Sequence, residues 1–314
     1  MEPVMPLLEC LDLTKEWAGS PVFEKVHLAI EAGEKVALVG RNGCGKTSLL
    51  RILAGLDEEF LGTLRRQRGF RTRLVPQRYE PPEGLTCLDV LCEPIERAAA
   101  ELAAIEDALT LPGAHEELLE AYVDARAHFE ALGGDHARDN ARRLLARAGL
   151  EGVTEAPAST LSGGEKNILA LTAALAEAPD LLLLDEPGNH LDFSGLAWLE
   201  DFIRGERRAM LMVSHNRFLL DRCVDRVLEL EDGHLTAYAG GYSAYRLAKL
   251  GRAAAQGREW QADRKRVERL EALVKRFAEI AHARPDPAWG KRLRARRTQL
   301  EREREAAAAA GATS

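Results

Sequence analysis

Gly40-Arg41-Asn42-Gly43-Cys44-Gly45-Lys46-Thr47 is the stretch that decides the fold. It follows the pattern G-x-x-x-x-G-K-[S/T] and lies between an apolar run, Val36 to Val39, and the helix-favouring residues Ser48 to Leu53. A strand, a glycine-rich loop and a helix in that order make a phosphate cradle. Glycines let the backbone curl until successive N–H groups point inward, and the helix that follows adds the positive end of its dipole. In such a loop Lys46 would reach the outer phosphates of a nucleotide and Thr47 would ligate Mg²⁺. Gly40, Arg41, Asn42, Gly43, Cys44, Gly45 and Ser48 would complete the nucleotide-binding segment.

Two further motifs follow in order: Leu161-Ser162-Gly163-Gly164-Glu165, and the run from Leu181 to Asp192 that reads LLLLDEPGNHLD. The four leucines are too short to span a bilayer and predict a buried parallel strand. Two carboxylates stand at its end. Adjacent residues there point in different directions, so Asp185 is suited to the Mg²⁺ shell and Glu186 to polarising an attacking water. Taken alone, the pair reads equally as a solvated acidic turn before Pro187; four leucines before it and a phosphate loop upstream favour the chemical reading. The three motifs together resemble the ATP-binding-cassette ATPases.

Within those ATPases the chain is most similar to the ABC-F class of ribosome-associated translation factors, and the likeness covers nearly its whole length. Four features carry it: Glu165 where transporter cassettes usually have glutamine; Asn189-His190-Leu191-Asp192 after the acidic pair; VSHNRFLLD from Val213 to Asp221; and Gly240-Gly241-Tyr242-Ser243-Ala244-Tyr245 ahead of a charged helical segment. The resemblance implies further roles. Trp17 would stack on adenine. Gln77 would touch Mg²⁺ and the attacking water, and His215 would contact the γ-phosphate. Ser162, Gly163, Gly164 and Glu165 would cap ATP bound to a partner cassette, and Asp192 would communicate across that dimer. Two positions depart from the family pattern: Gly188 replaces the usual threonine, and Cys44 stands where alanine or serine is common. Gly188 is expected to loosen the turn that aims Asp192.

At 314 residues and 34.6 kDa, with 46% hydrophobic and 30% charged residues, the chain has the makings of a globular α/β protein with more than one structural unit. No apolar run is long enough for a membrane helix or signal peptide, so a cytoplasmic enzyme without direct membrane insertion is expected. Its five cysteines, Cys10, Cys44, Cys87, Cys92 and Cys223, form no CxxC pair, which argues for reduced thiols and against a zinc site.

The net charge of −7 hides a division. From Arg246 to Glu305 there are 18 Lys and Arg against 9 Asp and Glu, so the remaining chain carries −16. The expected organisation is a cassette over 1–245 with a helical arm over about 92–150, a basic helical hairpin over 246–305 and a disordered tail over 306–314. The arm is broken at Leu111-Pro112-Gly113 and at Gly133-Gly134. In the hairpin Val267, Leu270, Leu273, Val274 and Phe277 recur at helical steps up to Arg284-Pro285-Asp286-Pro287, and a second basic helix starts near Trp289. In ABC-F proteins a linker of this form joins two cassettes and reaches into the ribosome, where Arg284, Lys291, Arg292, Arg294, Arg296 and Arg297 would meet RNA phosphates. Charge alone fits a solvated coiled-coil pair equally well. The expected fold is thus an α/β ABC-type P-loop NTPase cassette, a parallel sheet core with an antiparallel β-region and a helical subdomain, followed by an α-helical hairpin. Because the signature cannot reach its own phosphate loop in this fold, hydrolysis needs a second cassette, from another copy or from a missing C-terminal half. The alternative function is the ATPase subunit of an ABC transporter working with separate membrane subunits.

Overall fold

The computed structural model describes residues 5–110, 116–283, 291 and 294–302. The chain divides into two compact units, Met1–Tyr245 and Arg246–Ser314. The first opens with strands β1 (Leu8–Trp17) and β2 (Ser20–Ile30), an antiparallel pair joined by Ala18-Gly19, both with positive φ, the two-residue turn whose twist matches that of the flanking strands. Strand β3 (Lys35–Val39) feeds helix α1 (Lys46–Leu53), and β4 (Leu61–Arg66) returns to β1, giving the three-stranded order β2-β1-β4.

After β5 (Thr72–Val75) the chain leaves the sheets for the helices α2 (Cys87–Leu109), α3 (Glu116–Ala131), α4 (Ala137–Arg147) and α5 (Gly163–Ala176). It then alternates: β6 (Leu181–Asp185), α6 (Phe193–Gly205), β7 (Ala209–Val213), α7 (Arg217–Cys223), β8 (Arg226–Glu231), β9 (His234–Ala239) and α8 (Tyr242–Ala283). The second sheet has the order β5-β6-β7-β3-β8-β9 and is parallel except for β9, which turns back on β8 at Asp232-Gly233.

The run of leucines explains the layering. On β6, Leu181 and Leu183 pack with α1 and the antiparallel sheet, while Leu182 and Leu184 pack with α5, α6 and α7; all four are fully buried. A strand covered on both faces loses the apolar–polar alternation of a half-exposed one. Each buried leucine side chain stabilises the fold by about 1.5–3 kcal/mol. Leu183→Ala should therefore cost about 2–5 kcal/mol, read as a fall in the denaturant midpoint at unchanged slope; a loss below about 1 kcal/mol would show that the strand collapses onto the gap.

Several boundaries differ from expectation. Helix α2 begins at Cys87, ahead of position 92, because Thr86 and Asp89 form a capping box: the Thr86 hydroxyl accepts the Asp89 N–H at 3.1 Å and Asp89 accepts the Thr86 N–H at 3.1 Å. The helical pattern read over Val267 to Phe277 belongs to one helix that starts earlier, at Tyr242. Leu270 and Leu300 are buried and Leu273 is 40% exposed, and residues 294–302 are helical. The arm break at Leu111-Pro112-Gly113, the hairpin tip at Arg284-Pro285-Asp286-Pro287, Trp289, Arg292 and the 306–314 tail lie outside the described residues. No described helix is long and apolar enough to cross a membrane.

Candidate functional site

The C-terminal ends of β3, β6 and β7 lie side by side, with Leu38 opposite Val213 and Val213 opposite Asp185. Ligands of open parallel sheets bind beyond strand ends of this kind. Here they face a cleft of about 540 Å³, lined by Asn42, Gly43, Gly45, Lys46, Thr47 and Ser48 from the loop and first turn of α1, by Asp185, Glu186, Val213 and His215 from the strand ends, and by Trp17 and Gln77 from the rim.

Gly45 caps α1 with φ 101°, and a Cβ there would lie 2.5 Å from Val22 Cγ1. Only glycine gives the loop this turn while β2 presses against it. Lys46 is buried, and its Nζ donates to the carbonyl oxygens of Gly40 and Arg41, 2.9 Å each, which folds the ammonium over the loop. The Thr47 hydroxyl donates to Asp185 Oδ2 at 2.8 Å. Two hard oxygens from different elements thus sit together beside the loop. That donor set fits Mg²⁺, which takes one or two protein oxygens and completes its shell with water and substrate phosphates.

Glu186 is almost fully buried and has φ 53°, a conformation that costs a non-glycine residue of order 1–3 kcal/mol and is held by its N–H donating to the Val213 carbonyl at 2.9 Å. Its Oε2 accepts the His215 N–H at 3.3 Å and its Oε1 lies 3.3 Å from His215 Nε2. Burial pushes the Glu186 pKa above the usual carboxylate range. The His215 ring and N–H pull it back, and Asp185 adds to the push. A carboxylate so placed is less strongly hydrated and more basic than a surface one, as a group that accepts a proton from water requires. Trp17, 73% exposed at the β1–β2 turn, presents an open ring to the cleft.

The structure does not bring every candidate residue into this cleft. Arg41 and Cys44 border a neighbouring hollow between the loop and the β8–β9 turn, and Gly40 reaches the site through the carbonyl that Lys46 holds. Ser162, Gly163, Gly164 and Glu165 form the start of α5 and do not line the cleft. There Glu165 accepts both the Ser162 N–H, at 2.9 Å, and its hydroxyl, at 2.7 Å, and these bonds hold the Glu165 carboxyl below its ordinary range. Asp192 caps α6 by accepting the Gly195 N–H at 2.8 Å. The Gly188 turn is closed by Asn189 N–H to the Glu186 carbonyl at 3.1 Å, and any Cβ at Gly188 would press on Leu196 at 3.2 Å. Sequence reasoning missed Lys15, Val22, Asn189 and Val213 among the lining residues. The buried Lys15 Nζ is committed to Asp57 Oδ1 at 2.9 Å and the Glu59 carbonyl at 2.7 Å, so it braces the rim.

Fold and cleft define a P-loop nucleotide-binding cassette. Residues 23–189 match the family described as ABC transporter, and residues 228–311 match a second family of the same description. The chain belongs to the ABC transporter family, through its ATP-binding cassette. It is 35% identical over 289 residues to the tylosin resistance ATP-binding protein TlrC of Streptomyces fradiae, covering 88% of this chain and 53% of TlrC. It is 32% identical to the ABC transporter ATP-binding protein YfmR of Bacillus subtilis, covering 87% and 43%, and 34% identical to the energy-dependent translational throttle protein EttA of Haemophilus influenzae, covering 71% and 41%. The chain thus spans about half the length of the curated relatives it matches. Among solved structures, an ATP-binding subunit of an ABC transporter aligns over 74% of this chain and 90% of its own with a TM-score of 0.57 at 22% identity, and a nucleotide-free cassette over 78% and 96% with 0.58 at 16%. These two likenesses establish the fold.

Proposed function

We propose that the chain is a Mg-ATP-binding and hydrolysing cassette of the ABC-F class, acting on ribosomes together with a second cassette. The observation that carries the ATPase reading is the convergence of Lys46, Thr47, Asp185, Glu186 and His215 at one row of strand ends. Loop N–H groups and Lys46 would hold the β- and γ-phosphates, and Trp17 would support the adenine. Mg²⁺, held by Thr47 and Asp185 with Gln77 at the rim, would neutralise phosphate charge when bound. Glu186 would accept a proton from the attacking water, which His215 helps to place against the γ-phosphate. Ser162 to Glu165 and Asp192, outside this cleft, would serve the ATP of the partner cassette.

The ribosomal role rests on the name of the EttA relative, a translational throttle protein, and on the basic charge of residues 246–305. It is tested by replacing Arg284, Lys291, Arg292, Arg294, Arg296 and Arg297 together with glutamine. Ribosome binding should weaken, and the slope of log affinity against log salt should flatten by about 1 for each phosphate that is no longer neutralised, with ATP affinity unchanged. Equal binding across a salt titration would remove the extension from the interface. The match of residues 23–189 to the family described as ABC transporter supports a second reading, an ATPase that drives separate membrane subunits. Co-sedimentation with membranes and not with ribosomes would select it.

A further inference from the structure

Helix α7 starts two residues after His215 and ends beside the root of α8. Side-chain chemistry joins the two. Asp221 Oδ1 accepts the Ser243 N–H at 2.5 Å and Asp221 Oδ2 accepts the Ser243 hydroxyl at 2.7 Å, so a carboxylate on α7 caps the first turn of α8. The Arg217 guanidinium lies 5.6 Å from the Tyr242 ring centroid, a cation–π distance. Gly241 lets the two helices approach this closely, because a Cβ there would stand 3.0 Å from the Asp221 Cα and carbonyl oxygen.

A second anchor is fixed to the sheet. Buried Glu229 on β8 accepts the hydroxyls of Tyr245, at 2.5 Å, and Tyr238, at 3.1 Å. Its register partner is Val39, the last residue of β3 before the phosphate loop. Tyr242 packs edge-on against Tyr245 at 5.5 Å. The root of α8 is therefore held at one point by the rigid sheet and at another by a seven-residue helix attached to the histidine loop. That loop in turn touches Glu186 through the His215 N–H and ring.

We propose that Asp221 is a positioning residue through which γ-phosphate contact at His215 sets the root of α8, with Tyr245 on Glu229 as the fixed point. The proposal rests on the ATPase reading above and adds its regulation. Helix α8 continues without interruption from Tyr242 to Ala283, past the boundary of the first unit at Tyr245. A shift of α7 changes how the Asp221 carboxylate meets the α8 N-terminus, whose first N–H groups have no partner within the helix and depend on such a cap. By linkage, whatever binds the extension would alter ATP affinity by the same factor with which ATP alters its own.

The experiment is amide hydrogen exchange on the full chain carrying Glu186→Gln, with Mg-ATP and with Mg-ADP, alongside equilibrium dialysis for nucleotide binding. Exchange over residues 242–246 should be slower with ATP than with ADP by about fivefold or more. Adding Asp221→Ala should speed exchange equally with both nucleotides and abolish the difference, whereas Asp221→Asn, which can still accept the Ser243 N–H on Oδ1 and donate from Nδ2 to the Ser243 hydroxyl, should restore it. Slow exchange at Leu182 and Leu183 in every variant shows that the core stays folded. A purely structural cap would leave the ATP–ADP difference in Asp221→Ala, and that result overturns the proposal. So does a parent that binds both nucleotides with no difference at 242–246. Failure of dialysis to detect ATP binding overturns the ATPase reading itself, and is seen separately.

Discussion

Glu186→Gln should bind ATP as tightly as the parent chain and hydrolyse it at least about a hundredfold more slowly, the usual scale of a missing general base. The amide keeps the size of the side chain and can still accept the His215 N–H, so the phosphate cradle at Lys46 and the bond that orients the histidine loop survive. What goes is the ability to take a proton from water. The pH profile of the parent carries the same signature. Burial raises the Glu186 pKa, so the ionised base is present above that raised value and is lost as pH falls through it. The acid limb of kcat/KM, which reports the free enzyme, should sit above the ordinary glutamate pKa and should vanish in Glu186→Gln. A variant that turns ATP over at the parent rate would remove Glu186 from the mechanism. Lys46→Ala supplies the contrast, since it should weaken nucleotide binding itself.

The second large effect is on assembly. Ser162 to Glu165 open α5 outside the cleft that holds Lys46, and on the proposed reading they complete the site of a partner cassette. Two phenyl rings are bare: Phe193, directly after Asp192 and 93% exposed, and Phe218, on α7 and 84% exposed. Burying each ring fully would contribute about 1.5–3 kcal/mol to association. Light scattering should therefore find monomer without nucleotide and dimer with Mg-ATP in the Glu186→Gln background, where the closed pair cannot discharge. Hydrolysis per chain should rise with protein concentration. High specific activity independent of concentration, in a chain that stays monomeric, would overturn the shared site.

The core of this arrangement is readable from short motifs because each is bound to its place by backbone chemistry. The glycine loop must follow a strand and open a helix, and four leucines ahead of two carboxylates end at the row where β6 meets β7. Other parts are invisible for equally physical reasons. Asp12 has φ 52° and interrupts the register of β1 between Cys10 and Leu13, which turns Lys15 inward. A one-residue shift of that kind reverses which side chains face the core, and alternation read along Leu8 to Trp17 does not reveal it. The early start of α2 is legible in Thr86 and Asp89 once the capping box is sought. The bond from Asn167 Nδ2 to the Asn189 carbonyl, 2.5 Å, joins residues 22 apart and has no local sequence signal.

The separation between the working strand ends and the helices α2 to α4 bears on how such a chain can change over evolutionary time. Between Val75 and Leu181 no described residue belongs to the six-stranded sheet, while β5 and β6 remain neighbours in unbroken parallel register. Insertions or deletions within α2 to α4, between Gln77 and Ser162, leave the spacing of Lys46, Asp185, Glu186 and His215 untouched, because those residues hang from β3, β6 and β7. The helical arm is thus free to be lengthened, shortened or exchanged for a new partner, with the chemistry inherited intact.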